Sequence, residues 1–369
     1  MAVSETPPFW FEEPGLKAWL MAPLSLAYSR AAALAMRAKP AGSVPVPVLC
    51  IGNFVTGGGG KTPTALALAK TAVAMGLAPG FLSRGYGGRI SGPERVDTKK
   101  HNSGDVGDEP LLLARTRPTV ISADRVAGAK LLAEIGCDLV IMDDGFQNPR
   151  LTKDYALVVV DSKRGIGNGF AMPAGPLRVR IADQLPFADA VLIIGDEPAG
   201  EKVVRLAARS GKPVHHARTR MINAQRWRGK SLLAYSGIAD PQKFFDSLVS
   251  AGGQLAMVRS FPDHHPFTRS EITELLDRAR LMKAELVTTA KDYVRLIGSG
   301  EAHERLARES LVASIELAFS DDGTDERIIR ETLARFEQRR LREEKAASAE
   351  RAESRKADRA KQKAREKIA

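Results

Sequence analysis

The clearest chemistry in this chain lies in Gly57-Gly58-Gly59-Gly60-Lys61-Thr62, between a β-type run and an Ala/Leu-rich run. Consecutive glycines let backbone N–H groups converge and let a polyanion approach closely. Lys61 adds a point charge for β- and γ-phosphates, Thr62 a hydroxyl for Mg²⁺, and the following helix the positive end of its dipole. The strict spacing G-x-x-x-x-G-K-[ST] wants glycine at position 55, where this chain has Val55. The strand–loop–helix context compensates for that departure. A second element is Asp143-Asp144-Gly145, directly after the apolar run 139–142. Carboxylates at a strand's C-terminal end can reach Mg²⁺ or its waters beside such a loop. Alone, the triplet is equally a turn; its pairing with Lys61 carries the metal reading.

Transfer of a phosphoryl group to an alcohol also needs a group that orients the hydroxyl and takes its proton. Gly107-Asp108-Glu109-Pro110 supplies a carboxylate in a polar stretch, and Pro110 suits a first helical turn. Asp108 is therefore open to two readings, proton acceptor or N-cap. Asp263-His264-His265 follows a strand-like run; adjacent histidines point apart, so no chelating pair is expected and a surface turn is the default.

Strand-like runs at 44–51, 79–83, 118–122, 139–142, 156–161 and 190–195 alternate with helical runs such as 63–75 and 125–135. That alternation predicts an α/β fold of the P-loop NTPase type, a mostly parallel sheet with helices on both faces. A second, smaller α/β domain is expected over 231–325, from strands at 231–235, 254–261, 286–289 and 311–318 with helices between. Residues 41–214 form the expected phosphate-loop domain, 215–230 a linker with the pattern of a hairpin, and 326–369 a charged helical tail.

The two cysteines, Cys50 and Cys137, each border an apolar run, as buried reduced thiols do, and this points to a cytoplasmic setting. The net charge of +11 does not indicate nucleic acid: residues 339–369 carry +6 of it, alternating in sign and without aromatics to stack on bases. Residues 1–40 contain no secretory signal. The Leu-, Ala- and Met-rich run 16–39 is interrupted by Lys17, Pro23, Arg30 and Arg37, short of the ~20 apolar residues of a spanning helix. It reads either as an interfacial helix or as one packed on the core.

Several segments together resemble one family, the tetraacyldisaccharide 4'-kinases of lipid A biosynthesis. They are Ile51-Gly-Asn53 before the loop, Leu82-Ser-Arg-Gly-Tyr-Gly87, Gly107-Asp-Glu-Pro110, Asp124-Arg125, Asp143-Asp-Gly-Phe-Gln147, Asn168-Gly169, Pro173-Ala-Gly-Pro176, Phe261-Pro-Asp-His264 and Lys291-Asp292. The resemblance implies transfer of the ATP γ-phosphate to the 4'-hydroxyl of an acylated glucosamine disaccharide 1-phosphate. It also implies peripheral attachment to the cytoplasmic face of a bacterial inner membrane through the N-terminal helix; a monomer is expected. Carried over, Asp108 is the base assisted by His264, Lys61 is catalytic, and Val55, Thr56, Gly57, Gly58, Gly59, Gly60, Lys61 and Thr62 hold the phosphates. Thr62, Asp143, Asp144 and Glu109 face the Mg²⁺. Gly59, Val179 and Ala290 depart from the family pattern, and no role is assigned to Lys291-Asp292. A P-loop ATPase or GTPase without a lipid acceptor is the competing expectation, although Lys291-Asp292 lacks the intervening residue of a guanine-reading Asn-Lys-x-Asp.

Overall fold

The computed structural model describes residues 7–57 and 59–366, with side chains through 349. Among these residues the strands, in chain order, are β1 (Val48–Gly52), β2 (Pro79–Ser83), β3 (Glu94–Arg95), β4 (Thr119–Ile121), β5 (Leu139–Asp143), β6 (Tyr155–Asp161), β7 (Ala190–Ile194), β8 (Val214–Met221), β9 (Ser231–Ser236), β10 (Gln254–Ser260), β11 (Glu285–Thr289), β12 (Ser310–Ala313) and β13 (Ile315–Phe319). They build a larger sheet in the order β13-β8-β7-β6-β1-β5-β2-β4-β3 and a smaller one in the order β10-β9-β11-β12. The larger sheet is parallel except for its two edges, β3 and β13. The smaller one is wholly parallel.

The central strands are apolar on both faces because helices cover both. Val48 and Cys50 of β1 join Val140, Met142 and Val158 in one core layer. Leu49 and Ile51 join Ile141, Leu157 and Val159 in the other. Helix Lys61–Ala74 and the start of helix Thr324–Glu366 pack on the second layer through Leu68, Ala72, Ile328 and Ile329. Both cysteines are buried and free, as expected. In the smaller sheet, Phe244, Phe245 and Leu248 of helix Pro241–Ser250 cover one face. Helix Arg269–Met282 covers the other with Ile272, Leu275 and Leu276.

Four boundaries differ from expectation. The strand expected over 44–51 begins at Val48, because Pro45 and Pro47 have no N–H for a ladder. The expected hairpin over 215–230 is absent: β8 pairs parallel with β7 and antiparallel with β13, and a short 3₁₀ turn, Ala224–Trp227, follows. The single strand expected over 311–318 divides into β12 in the smaller sheet and β13 in the larger, so the chain crosses between the sheets twice. Finally, the helical tail expected over 326–369 begins at Thr324, and its first part is docked. Arg339 reaches the buried Asp154 at 2.7 Å and Arg335 pairs with Asp189.

Helix Leu16–Met36 inverts the usual amphipathic arrangement. Its protein-facing side is small and polar, with Ala18, Ser25, Ser29 and Ala33 buried. Ser25 Oγ donates to the Ala171 carbonyl at 2.7 Å, and the Arg180 N–H donates to Ser29 Oγ at 2.9 Å. Its outer side carries Leu16, Trp19, Leu20, Leu24 and Leu34, all exposed. Among the described residues no helix is long and apolar enough to cross a membrane.

Candidate active site

Ile51 of β1 is in register with Asp143 of β5, so the glycine loop and the acidic strand end emerge side by side at the C-terminal edge of the larger sheet. Gly57 and Gly60 have φ of 69° and 94°, which an L side chain rarely adopts. A Cβ at Gly60 would also run into Ile194. Val55, where the strict motif has glycine, is buried and bridges to Leu177; the next N–H, of Thr56, donates to the Pro176 carbonyl at 2.8 Å. The departure at 55 is thus an anchor, and Pro173-Ala-Gly-Pro176 braces the loop. Gly58 lies outside the described residues. Gly59 and Gly60 lead into helix Lys61–Ala74, whose first two residues, Lys61 and Thr62, are half-buried.

Asp143 ends β5 and Asp144 opens the turn after it. Asp144 sits at φ 55° and accepts at Oδ2 from Arg178 at 2.8 Å, and Arg178 also donates to Gln147 at 3.2 Å. This explains Gln147 in the Asp143–Gln147 stretch: it holds the Asn53 carbonyl at 2.7 Å and the arginine that steadies Asp144. Burial pushes the Asp143 carboxyl up to about 7; Glu109 and Asp144 push the same way, and Lys61 opposes. Burial also raises Asp144, but Lys61 and Arg178 outweigh it and hold this carboxyl below its usual value. Asp143 Oδ1 and Asp144 Oδ1 are buried without a hydrogen-bond partner, as are both polar atoms of the Asn53 side chain. Two orphaned carboxylate oxygens beside a cationic phosphate loop suit a hard cation such as Mg²⁺. Among the described residues no cluster of three or more His, Cys, Asp or Glu side chains could hold a metal alone. Mg²⁺ typically takes one or two carboxylates and completes its shell with waters and phosphate oxygens.

Across from the larger sheet's edge, His264 Nδ1 lies 2.9 Å from Asp108 Oδ2. Asp108 is not the N-cap, since Gly107 holds that position before helix Asp108–Ala114, and its buried carboxylate faces His264 and Arg295. The turn expected at 263–265 is present at Asp263-His264 and half-buried, and its side chains are engaged. His264 is drawn in by Asp108, with φ 61°, while His265 stacks on Phe261 and bonds Glu271 at 2.9 Å. Arg295 places Nε and Nη2 each 2.6 Å from Asp108 Oδ2. Burial raises the Asp108 carboxyl, yet the His264 hydrogen bond and the charges of Arg295 and Lys291 hold it well below the usual carboxylate range. Lys291 Nζ is 3.2 Å from Glu109 Oε1 and 3.3 Å from His264 Nε2. Glu109, expected at the metal, is therefore engaged by Lys291, though its charge still reaches Asp143.

The segment left without a role is thus central. Helix Ala290–Leu296, capped by Thr289, presents Lys291 and Arg295 one turn apart toward the Asp108 helix. A Lys-Asp-x-x-Arg spacing was the available signal, since i and i+4 share a helix face. Arg178, the partner of Asp144, had none, lying in an irregular stretch after Pro176.

A family model described as LpxK, tetraacyldisaccharide-1-P 4'-kinase, matches residues 17–334. The tetraacyldisaccharide 4'-kinase of Agrobacterium fabrum (strain C58) is 48% identical over 346 residues, 94% of this chain and 99% of that relative. That of Sinorhizobium fredii (strain NBRC 101917) is 51% identical, covering 92% of this chain and 98% of its own. The crystal structure of "apo" form LpxK from Aquifex aeolicus in complex with ATP shares the fold, with a TM-score of 0.65 at 23% identity over 85% of this chain and 99% of that one.

Proposed function

Because this chain belongs to the tetraacyldisaccharide 4'-kinase family, we infer that it is an ATP-dependent kinase that phosphorylates the 4'-hydroxyl of an acylated glucosamine disaccharide 1-phosphate. The observation that carries the site assignment is the Asp108–His264 contact, made between the larger sheet's unit and the smaller one's. Lys61 and the loop N–H groups from Val55 to Thr62 take the β- and γ-phosphates, and Lys61 offsets charge spreading over the transferring group. Thr62, Asp143 and Asp144 would hold Mg²⁺, which when bound would neutralise phosphate charge. Asp108 accepts the proton of the attacking hydroxyl as the new O–P bond forms and ADP departs; His264 orients that carboxylate. His264 Nδ1 and Arg295 Nε both bond Oδ2, which leaves Oδ1 for the acceptor.

The exposed leucines and Trp19 of helix Leu16–Met36 support peripheral attachment to the membrane that holds the acylated substrate, with basic residues at anionic headgroups. Buried free cysteines support the cytoplasmic face. The deciding experiment is ³²P transfer from ATP to purified acylated disaccharide 1-phosphate, with nucleotide hydrolysis measured in parallel. Lipid-independent hydrolysis without transfer would favour a plain ATPase.

A further inference from the structure

We propose that Arg295 is a positioning residue that assembles the Asp108–His264 pair, acting on both members from one guanidinium; this rests on the assignment of that pair as the proton-accepting unit.

The Arg295 side chain is 5% exposed and its nitrogens are divided between two tasks. Nε donates to Asp108 Oδ2, with Nη2 in ion-pair range of the same oxygen but without a hydrogen bond, while Nη1 donates to the Gly237 carbonyl and to Asp292 Oδ1, each at 2.7 Å. That Gly237 carbonyl also accepts the backbone N–H of His264 at 3.2 Å. One planar group thus grips the carboxylate directly and the histidine through its backbone. Asp292 fixes the grip from behind. It is fully buried and accepts from Ser236 Oγ at 2.9 Å, Thr289 Oγ1 at 2.6 Å and the Gly237 N–H at 2.9 Å. The Gly237 corner is tight: an added Cβ would stand 3.1 Å from the Pro262 carbonyl and 3.3 Å from Arg295 Nη1. His264, at φ 61°, needs such backbone support to stay where its Nδ1 meets Asp108.

A pair that served stability alone would need only to neutralise Asp292 within the smaller unit. The second half of the fork instead crosses to helix Asp108–Ala114. It ends on the oxygen that His264 also uses. Lysine cannot replace this, because a single ammonium lacks the fixed fork that spans two carboxylates and a carbonyl.

The test uses the full chain with Arg295→Lys, Arg295→Met, Asp292→Asn and Asp108→Asn, and the double variant Asp108→Asn/Arg295→Lys. Turnover and KM for ATP and lipid acceptor are measured beside thermal melts. Arg295→Lys is expected to melt near the parental protein yet lose about a hundredfold in kcat, the scale of a removed transition-state contact, with KM for ATP changed less than about twofold. The double variant should be no slower than Asp108→Asn alone, because losses within one unit do not add. If Arg295→Met fails to fold, Arg295→Lys and Asp292→Asn still decide. Parental kcat in both folded variants, or log losses that add in the double, would overturn the proposal while leaving the pair intact. Near-normal turnover in Asp108→Asn would instead overturn the pair itself.

Discussion

Replacing Leu16, Leu20 and Leu24 together by serine should release the protein from membranes without unfolding it. The three side chains are 77%, 72% and 63% exposed, so they contribute little to the folded chain. Burying one leucine side chain is worth roughly 2 kcal/mol. Scaled by these exposures, the trio contributes about 4 kcal/mol at an apolar boundary. With about 1.4 kcal/mol per decade, that is a factor of about a thousand in the partition coefficient. Serine removes this term but keeps the inner contacts of Ser25 with Ala171 and Ser29 with Arg180. Deleting the helix would lose those contacts too and confuse the result. Flotation with vesicles containing anionic lipid measures the partition, and a thermal melt checks the fold. An unchanged melt with binding within about threefold of the parent would refute the argument, since it would mean the apolar face never enters the lipid.

Lys61→Ala should lower turnover at least about a hundredfold with the fold retained, because the transferring phosphoryl group loses its cation; near-parental turnover would remove the phosphate loop from the mechanism. Asp143→Asn and Asp144→Asn should each blunt the Mg²⁺ dependence of turnover and of the nucleotide-induced rise in melting temperature. Parental Mg²⁺ titrations in both would reduce the acidic pair to a turn. Asp108→Ala should cost more turnover than His264→Ala, and the double change little more than Asp108→Ala alone; additive log losses would separate the two roles.

Read alone, the sequence determined the parts whose structure is local. Four glycines before Lys61 admit few backbones, and an apolar run ending in Asp143-Asp144 between turns admits one strand, so loop, strand and carboxylates were all legible. Alternation of apolar runs with helical stretches likewise settled the sheet's parallel character, because buried parallel strands must be apolar on both faces. Tertiary structure decided whatever depends on partners distant in the chain. Residues 311–318 look like one strand; only the positions of β8 and β11 draw the halves into different sheets. Which side of the N-terminal helix faces the protein also needed the fold: Ser25 and Ser29 face inward and its leucines outward. Arg295 is one of many arginines until folding brings Asp108, 187 residues away, within 2.6 Å, because burial makes a charge seek its counter-charge wherever the chain delivers one.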